Sequence, residues 1–128
     1  MERRPVIVAG FGFRDGAAAD SLAAALDDAL TAAGLDSPPD LLATLPAKAA
    51  HPAFLALAER LGLDTRAAAA DGRPLITRSP AALARHGTGS VAEAAALAAA
   101  GPGGRLAGPR TISFDRMATC AIALGETQ

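Results

Sequence analysis

Val6-Ile7-Val8-Ala9 is an unbroken apolar run ending at Gly10, the pattern of a short buried strand. From Asp20 to Ala33 the period changes to that of a helix. Leu22, Leu26 and Leu30 fall on one face with Ala29 and Ala33 beside them, and Asp27 and Asp28 lie off the stripe. Gly34 predicts the C-cap. Ser37-Pro38-Pro39-Asp40 is a rigid link to a second strand over Leu41–Leu45, which Pro46 stops. His51-Pro52 opens a second helix over Ala53–Leu61, closed by Gly62, with Leu55, Leu57, Ala58 and Leu61 as its expected core face. A short strand is expected near Thr65–Ala68 and a turn at Asp71-Gly72-Arg73-Pro74.

Ser79-Pro80 has the N-cap and first-turn residues of a short helix ending near His86-Gly87. Ser90-Val91-Ala92-Glu93 matches the capping box, and the helix it starts runs to Ala100. Gly101-Pro102-Gly103-Gly104 ends that helix. Leu106–Phe114 and Met117–Leu124 read as two final strands joined by a tight turn at Asp115-Arg116. There is no internal repeat. Alternating strands and helices predict a single α/β domain over residues 1–128, with three α/β/α layers. The closing hairpin makes the sheet mixed, with about five strands.

Composition sharpens this picture in two ways. Hydrophobic residues make up 51% of the 128, so the chain is no disordered tail. Much of that fraction is alanine and only four residues are aromatic, so helices must pack close to their neighbours. A net charge of −1 favours neither nucleic acid nor an anionic membrane, and any attraction for anions must be local. No apolar run is long enough to span a membrane, no signal peptide is visible, and the single Cys120 excludes an internal disulfide. The expected setting is cytoplasmic.

The candidate chemistry lies in two glycine-rich turns, Gly10-Phe11-Gly12-Phe13-Arg14-Asp15-Gly16 and Gly87-Thr88-Gly89-Ser90, each before an alanine-rich helix. Free backbone N–H groups at a helix start hold phosphate or carboxylate. The first turn resembles a dinucleotide-binding turn, but Leu45-Pro46 stand where the ribose-binding acid belongs. Arg14 either aims a bidentate donor at a carboxylate or is a solvated loop cation. Lys48, the only lysine, follows the second strand and either pairs with an anion or is an ordinary surface residue. Ser90 and Glu93 are explained by capping alone, whereas glycines on both sides of Thr88 suit close approach by a ligand or loop. His51 and His86 have no metal-ligand spacing, Cys120 reads as a buried small hydrophobe, and no catalytic motif is present. No metal site and no cofactor are expected.

Together these segments resemble the CobE / CbiG C-terminal domain family of cobalamin (vitamin B12) biosynthesis. The likeness lies in Ala9–Gly16, Leu41–Lys48, Leu55–Leu63, Gly87–Leu97 and Pro109-Arg110-Thr111, with Arg110 where the family more often has Lys. It spans nearly the whole chain through the order and spacing of its parts. The resemblance implies an α/β/α fold and a precorrin or corrinoid intermediate as ligand. In the longer CbiG proteins the domain follows an N-terminal domain, and the whole is a cobalt-precorrin-5A hydrolase that opens a lactone ring with loss of acetaldehyde. This chain has no room for that domain and looks like the stand-alone CobE form. The expected ligand-binding residues are Gly10, Gly12, Arg14, Lys48, Thr88, Gly89, Ser90 and Arg110, facing the carboxylates of the macrocycle. Three roles stay open: a carrier of the intermediate, a small enzyme acting on the ring with Lys48, Glu93 or His86 as acid or base, and an accessory subunit of another pathway enzyme.

Overall fold

The structure, a computed structural model, describes residues 6–67, 91–101 and 103–125. The expected turn at Asp71–Pro74, the helix from Ser79 and the turn Gly87–Ser90 lie outside the described residues. Three parallel strands alternate with two helices: β1 (Val6–Phe13), α1 (Ala19–Ala32), β2 (Leu41–Thr44), α2 (Pro52–Leu61) and β3 (Asp64–Ala67). A further helix, α3, includes residues 91–100. β4 (Arg105–Leu106), β5 (Thr111–Ile112) and β6 (Ala118–Gly125) complete the sheet. Its order is β3-β2-β1-β6-β4, with β5 also on β6, and β6 runs antiparallel to β1, β4 and β5.

β1 is the central strand, paired on both sides and covered on both faces, which is why it is apolar throughout. Ile7, Ala9, Phe11 and Phe13 point into a large core with Leu22, Ala25, Leu26 and Ala29 of α1 and Phe54 and Leu57 of α2. Val8 points the other way, into a smaller cluster with Ala43, Ala95 and Ala99. Two helices therefore cover one face and α3 the other, the expected three-layer arrangement of a mixed α/β sheet.

The second face depends on the absence of side chains. A Cβ on Gly10 would lie 2.3 Å from the Ala92 carbonyl oxygen and 2.5 Å from the Ala96 nitrogen. One on Gly125 would lie 3.0 Å from the Ala100 carbonyl oxygen. The backbone of α3 is thus seated directly on the sheet, with Ala92, Ala95, Ala96 and Ala99 as its buried face. Because Gly125 pairs with Val6, α3 runs antiparallel to β1 and its amino end points to the carboxyl end of that strand. The Arg66 guanidinium on β3 donates to the Ala99 carbonyl at 3.1 Å, which satisfies the last turn of α3.

Most expected elements form within a residue or two of their expected ends, but four differ. Gly10 and Gly12 are not in a turn: β1 continues through them to Phe13. Its pairing with β6 extends from Val6↔Gly125 to Phe13↔Ala118 and carries the strand past the glycines. The core face of α2 is Ala53, Phe54, Leu57 and Ala58, while Leu55 and Leu61 are exposed. Phe54 decides this rotation by packing edge-on to Phe11 at 6.1 Å and stacked on Phe13 at 6.2 Å between ring centroids. The expected strand Leu106–Phe114 is split into β4 and β5 around Gly108-Pro109, since Pro109 has no N–H for the ladder. That split makes six strands among the described residues, where about five were expected. Gly34 lies one position beyond the cap residue Ala33, at φ 73°. It closes a Schellman turn in which Gly34 donates to Thr31 and Leu35 to Leu30.

Replacing Gly10 by Ala should lower unfolding stability by about 1–3 kcal/mol, since only the backbone of α3 can make room. Urea denaturation measures this, and an unchanged midpoint would mean that α3 lifts from the sheet freely.

Candidate functional site

The carboxyl end of β1 is where the sheet opens. The β1–β2 ladder runs to Gly10↔Ala43, and beyond it the Phe11 carbonyl accepts from the Thr44 hydroxyl at 2.9 Å. On the other side the Gly12 carbonyl accepts from the Thr119 hydroxyl at 3.2 Å. Both threonines are buried; the Thr44 bond continues the contact past the end of the β1–β2 ladder, and the Thr119 bond adds to a β1–β6 ladder that runs on to Phe13↔Ala118.

Among the described residues three loops meet at this edge. The β1–α1 loop begins with Arg14, whose N–H donates to the Met117 carbonyl at 3.0 Å, and turns through Ala17 N–H to the Arg14 carbonyl. The β2–α2 loop contains a short 3-10 turn, Pro46–Lys48, set by the proline that ends β2. The β5–β6 turn, residues 113–117, lies on the other side of Arg14.

The first two loops are fastened together. Lys48 Nζ bonds Asp15 Oδ1 at 2.5 Å and lies 5.2 Å from the Phe13 ring centroid. The Lys48 hydrogen bond and charge hold the Asp15 carboxyl below its ordinary pKa. His51 Nε2 lies 2.7 Å from the Asp15 carbonyl, and its Nδ1 accepts from the Ala53 N–H at 3.1 Å. A single neutral tautomer satisfies both bonds, with the proton on Nε2. His51 is thus the N-cap of α2, and its ring meets the Phe13 ring edge-on at 5.0 Å.

The third loop is held by Asp115. Its carboxylate accepts from the Ser21 hydroxyl of α1 at 2.5 Å, the Ser113 hydroxyl at 2.6 Å and the Met117 N–H at 3.1 Å. The serine hydrogen bonds keep its pKa below the ordinary carboxylate value. Arg116 takes the left-handed backbone conformation, at φ 62°, to close the turn.

The expected site residues are distributed unevenly. Arg14 and Lys48 are neighbours at this edge. Arg14 is exposed, and among the described residues no side-chain hydrogen bond or ion pair engages it. The amino end of α3 faces the same edge, and Thr88, Gly89 and Ser90 immediately precede its first described residue but lie outside the described residues. Gly10 lies under α3 and Gly12 within β1. Arg110 lies on the α3 side, half-exposed, with Nη1 3.8 Å from Glu93 Oε2. His86 is outside the described residues. Cys120 is fully buried, and burial pushes its thiol pKa up. Among the described residues no cluster of three or more metal-ligating side chains occurs, and no helix is long and apolar enough to cross a membrane.

Sequence reading missed the fastening of Asp15 to Lys48, although parallel pairing of β1 and β2 places the residues after both strands side by side. Replacing Lys48 by Met should raise the Asp15 carboxyl titration toward its ordinary value. Asp15 has a depressed folded pKa, so its contribution to stability is present above the unfolded pKa and lost as pH falls through the folded one. Any stability difference between parent and K48M should therefore vanish at acid pH. Carboxyl-carbon NMR titration with urea unfolding at several pH values measures both effects.

Residues 7–123 match the family model described as the cobalamin synthesis G C-terminus. The chain is 38% identical to the cobalamin biosynthesis protein chiG from Agrobacterium tumefaciens str. C58, covering 94% of this chain and 99% of that one, with a TM-score of 0.72. It is 31% identical to CobE, a protein from the cobalamin (vitamin B12) biosynthetic pathway, over 97% of this chain and 93% of that one, with a TM-score of 0.76. A cobalamin biosynthesis protein G homolog from Sulfolobus solfataricus shares the fold at 19% identity and a TM-score of 0.68, and the match covers 95% of this chain and 37% of that one. No curated protein matches. A match over nearly all of the chain, on the same mixed sheet, places the protein in cobalamin biosynthesis as a member of the CbiG C-terminal domain family.

Proposed function

We propose that this protein binds an anionic precorrin or corrinoid intermediate and holds it for another enzyme of the pathway. The observation that carries the reading is Arg14: an exposed guanidinium without a side-chain partner among the described residues, at the open end of the central strand. Beside it lies Lys48, and the amino end of α3 faces the same edge. Precorrins are macrocycles rimmed by acetate and propionate arms. A guanidinium, an ammonium and a helix start are three donors for separate carboxylates on one ring.

The donors differ in readiness. Arg14 can take a carboxylate at once, whereas Lys48 must exchange Asp15 for it and so contributes only the difference between the two. Thr88, Gly89 and Ser90, which immediately precede the first described residue of α3 in sequence, belong to the proposed site, and Arg110 joins it as an outlying contact that would exchange Glu93.

The test is co-elution of purified protein with pathway intermediates through a desalting column, followed by visible absorbance. The chain has no Trp or Tyr, so protein absorbance hardly interferes. Pigment retained in stoichiometric amount and unchanged in spectrum is the expected result. A shifted product spectrum would make the protein an enzyme acting on the ring. No retained pigment would overturn ligand binding in favour of an accessory subunit.

Arg14→Ala should weaken binding about 5- to 30-fold, the equivalent of ~1–2 kcal/mol for a charge-assisted bond at an exposed site, and leave the melting temperature unchanged. Equal affinity in that variant would remove Arg14 from the site.

A further inference from the structure

The chain has four phenylalanines and no other aromatic residue except its two histidines. Phe11, Phe13 and Phe54 are buried in the core. Phe114 is 82% exposed. It stands at the tip of the β5–β6 turn, which is held by hydrogen bonds within the turn and by one from Ser21 of α1. Asp115 accepts from Ser21, Ser113 and the Met117 N–H, and the Ser113 hydroxyl also accepts from the Met117 and Ala118 N–H groups at 3.2 and 3.1 Å. The Ser113 carbonyl accepts from the Arg116 N–H. A turn tied this firmly to α1 displays its aromatic residue in one place, without the loop-ordering penalty a mobile segment would incur on binding.

That place is the edge already described. Met117 accepts from the Arg14 N–H, and a Cβ on Gly16 would touch Met117 Cε at 3.4 Å. The β5–β6 turn and the β1–α1 loop therefore lie against each other. Across the sheet the order is Phe114 on the β6 side, Arg14 at the end of β1, and Lys48 on the β2 side. Strand spacing makes the distance from β6 to β2 about 10 Å.

We propose that Phe114 is a ligand-binding residue that stacks on the face of the bound tetrapyrrole while Arg14 and Lys48 take its carboxylates. This rests on the reading of the protein as a corrinoid-intermediate binder. The ligand class has both properties that the edge presents: a broad unsaturated face and an anionic rim. An exposed phenyl ring beside a guanidinium is the complementary pair.

The test uses uroporphyrin, a tetrapyrrole with acetate and propionate arms, and citrate, a polycarboxylate without a ring. On adding uroporphyrin to the parent protein, the Phe114 ring protons should move upfield in NMR, in an aromatic region with few other signals. Phe114→Ala should weaken uroporphyrin about tenfold and leave weak citrate binding and the melting temperature unchanged, whereas Arg14→Ala should weaken both ligands. Phe114→Leu, which keeps apolar area without the ring, should recover only part of the loss. Unchanged uroporphyrin affinity in F114A, or no Phe114 shift with bound uroporphyrin, would overturn the assignment while leaving the binding function standing. Failure of the parent to bind uroporphyrin or any pathway pigment would remove both.

Discussion

The third layer of this fold exists because α3 rests on glycine. At Gly10 and Gly125 the helix backbone takes the space a side chain would fill, and alanines line the rest of the contact. This close seating completes the burial of β1, the central strand that joins β2 and β3 on one side to β6 and its partners on the other. It also sets direction. With Ala92 over Gly10 and Ala100 over Gly125, the amino end of α3 can only face the carboxyl ends of β1 and β2. An alanine-rich, aromatic-poor composition is what such packing requires, since larger side chains would lift the helix and open the core.

At that edge side-chain bonds supplement the backbone pairing. Thr44 and Thr119 donate to the Phe11 and Gly12 carbonyls of β1, and Lys48 and His51 fasten the β2–α2 loop to Asp15. Asp115 fastens the β5–β6 turn to α1. The loops are therefore ordered parts of the scaffold, as a site must be if it is to hold a rigid macrocycle in one orientation. Arg14 stands between the fastened loops without a side-chain partner among the described residues, and Phe114 projects from one of them.

Family membership and physical reading bear on different parts of the question. The match to the cobalamin synthesis G C-terminus and the likeness to CobE place the protein in its pathway. The arrangement of charge and exposed aromatic surface at one sheet edge is what recommends a carboxylate-rimmed ligand, and it would do so without the pathway. The buried, raised-pKa thiol of Cys120 and the capping role of His51 give two chemically attractive side chains structural explanations.

Local pattern determined much of the fold. The apolar run of β1, the four-residue leucine spacing of α1 and the stops at Gly34, Pro46 and Gly62 act through backbone preferences within a few residues. Arg14 stood out as a cation in a glycine-rich segment, and Lys48 as the single lysine following the second strand. Other features required the tertiary structure because they join residues far apart in the chain. Gly10 looked like a turn residue until α3 was seen on top of it, some eighty positions later. The core face of α2 was decided by Phe54 against Phe11 and Phe13, not by the leucines that flank it. The partner of Lys48, thirty-three residues away, and the exposure of Phe114 followed from which loops the sheet order brings together. Periodicity and capping are local and can be read along the chain. Close packing, ion pairing and exposure depend on strand order, which local pattern does not specify.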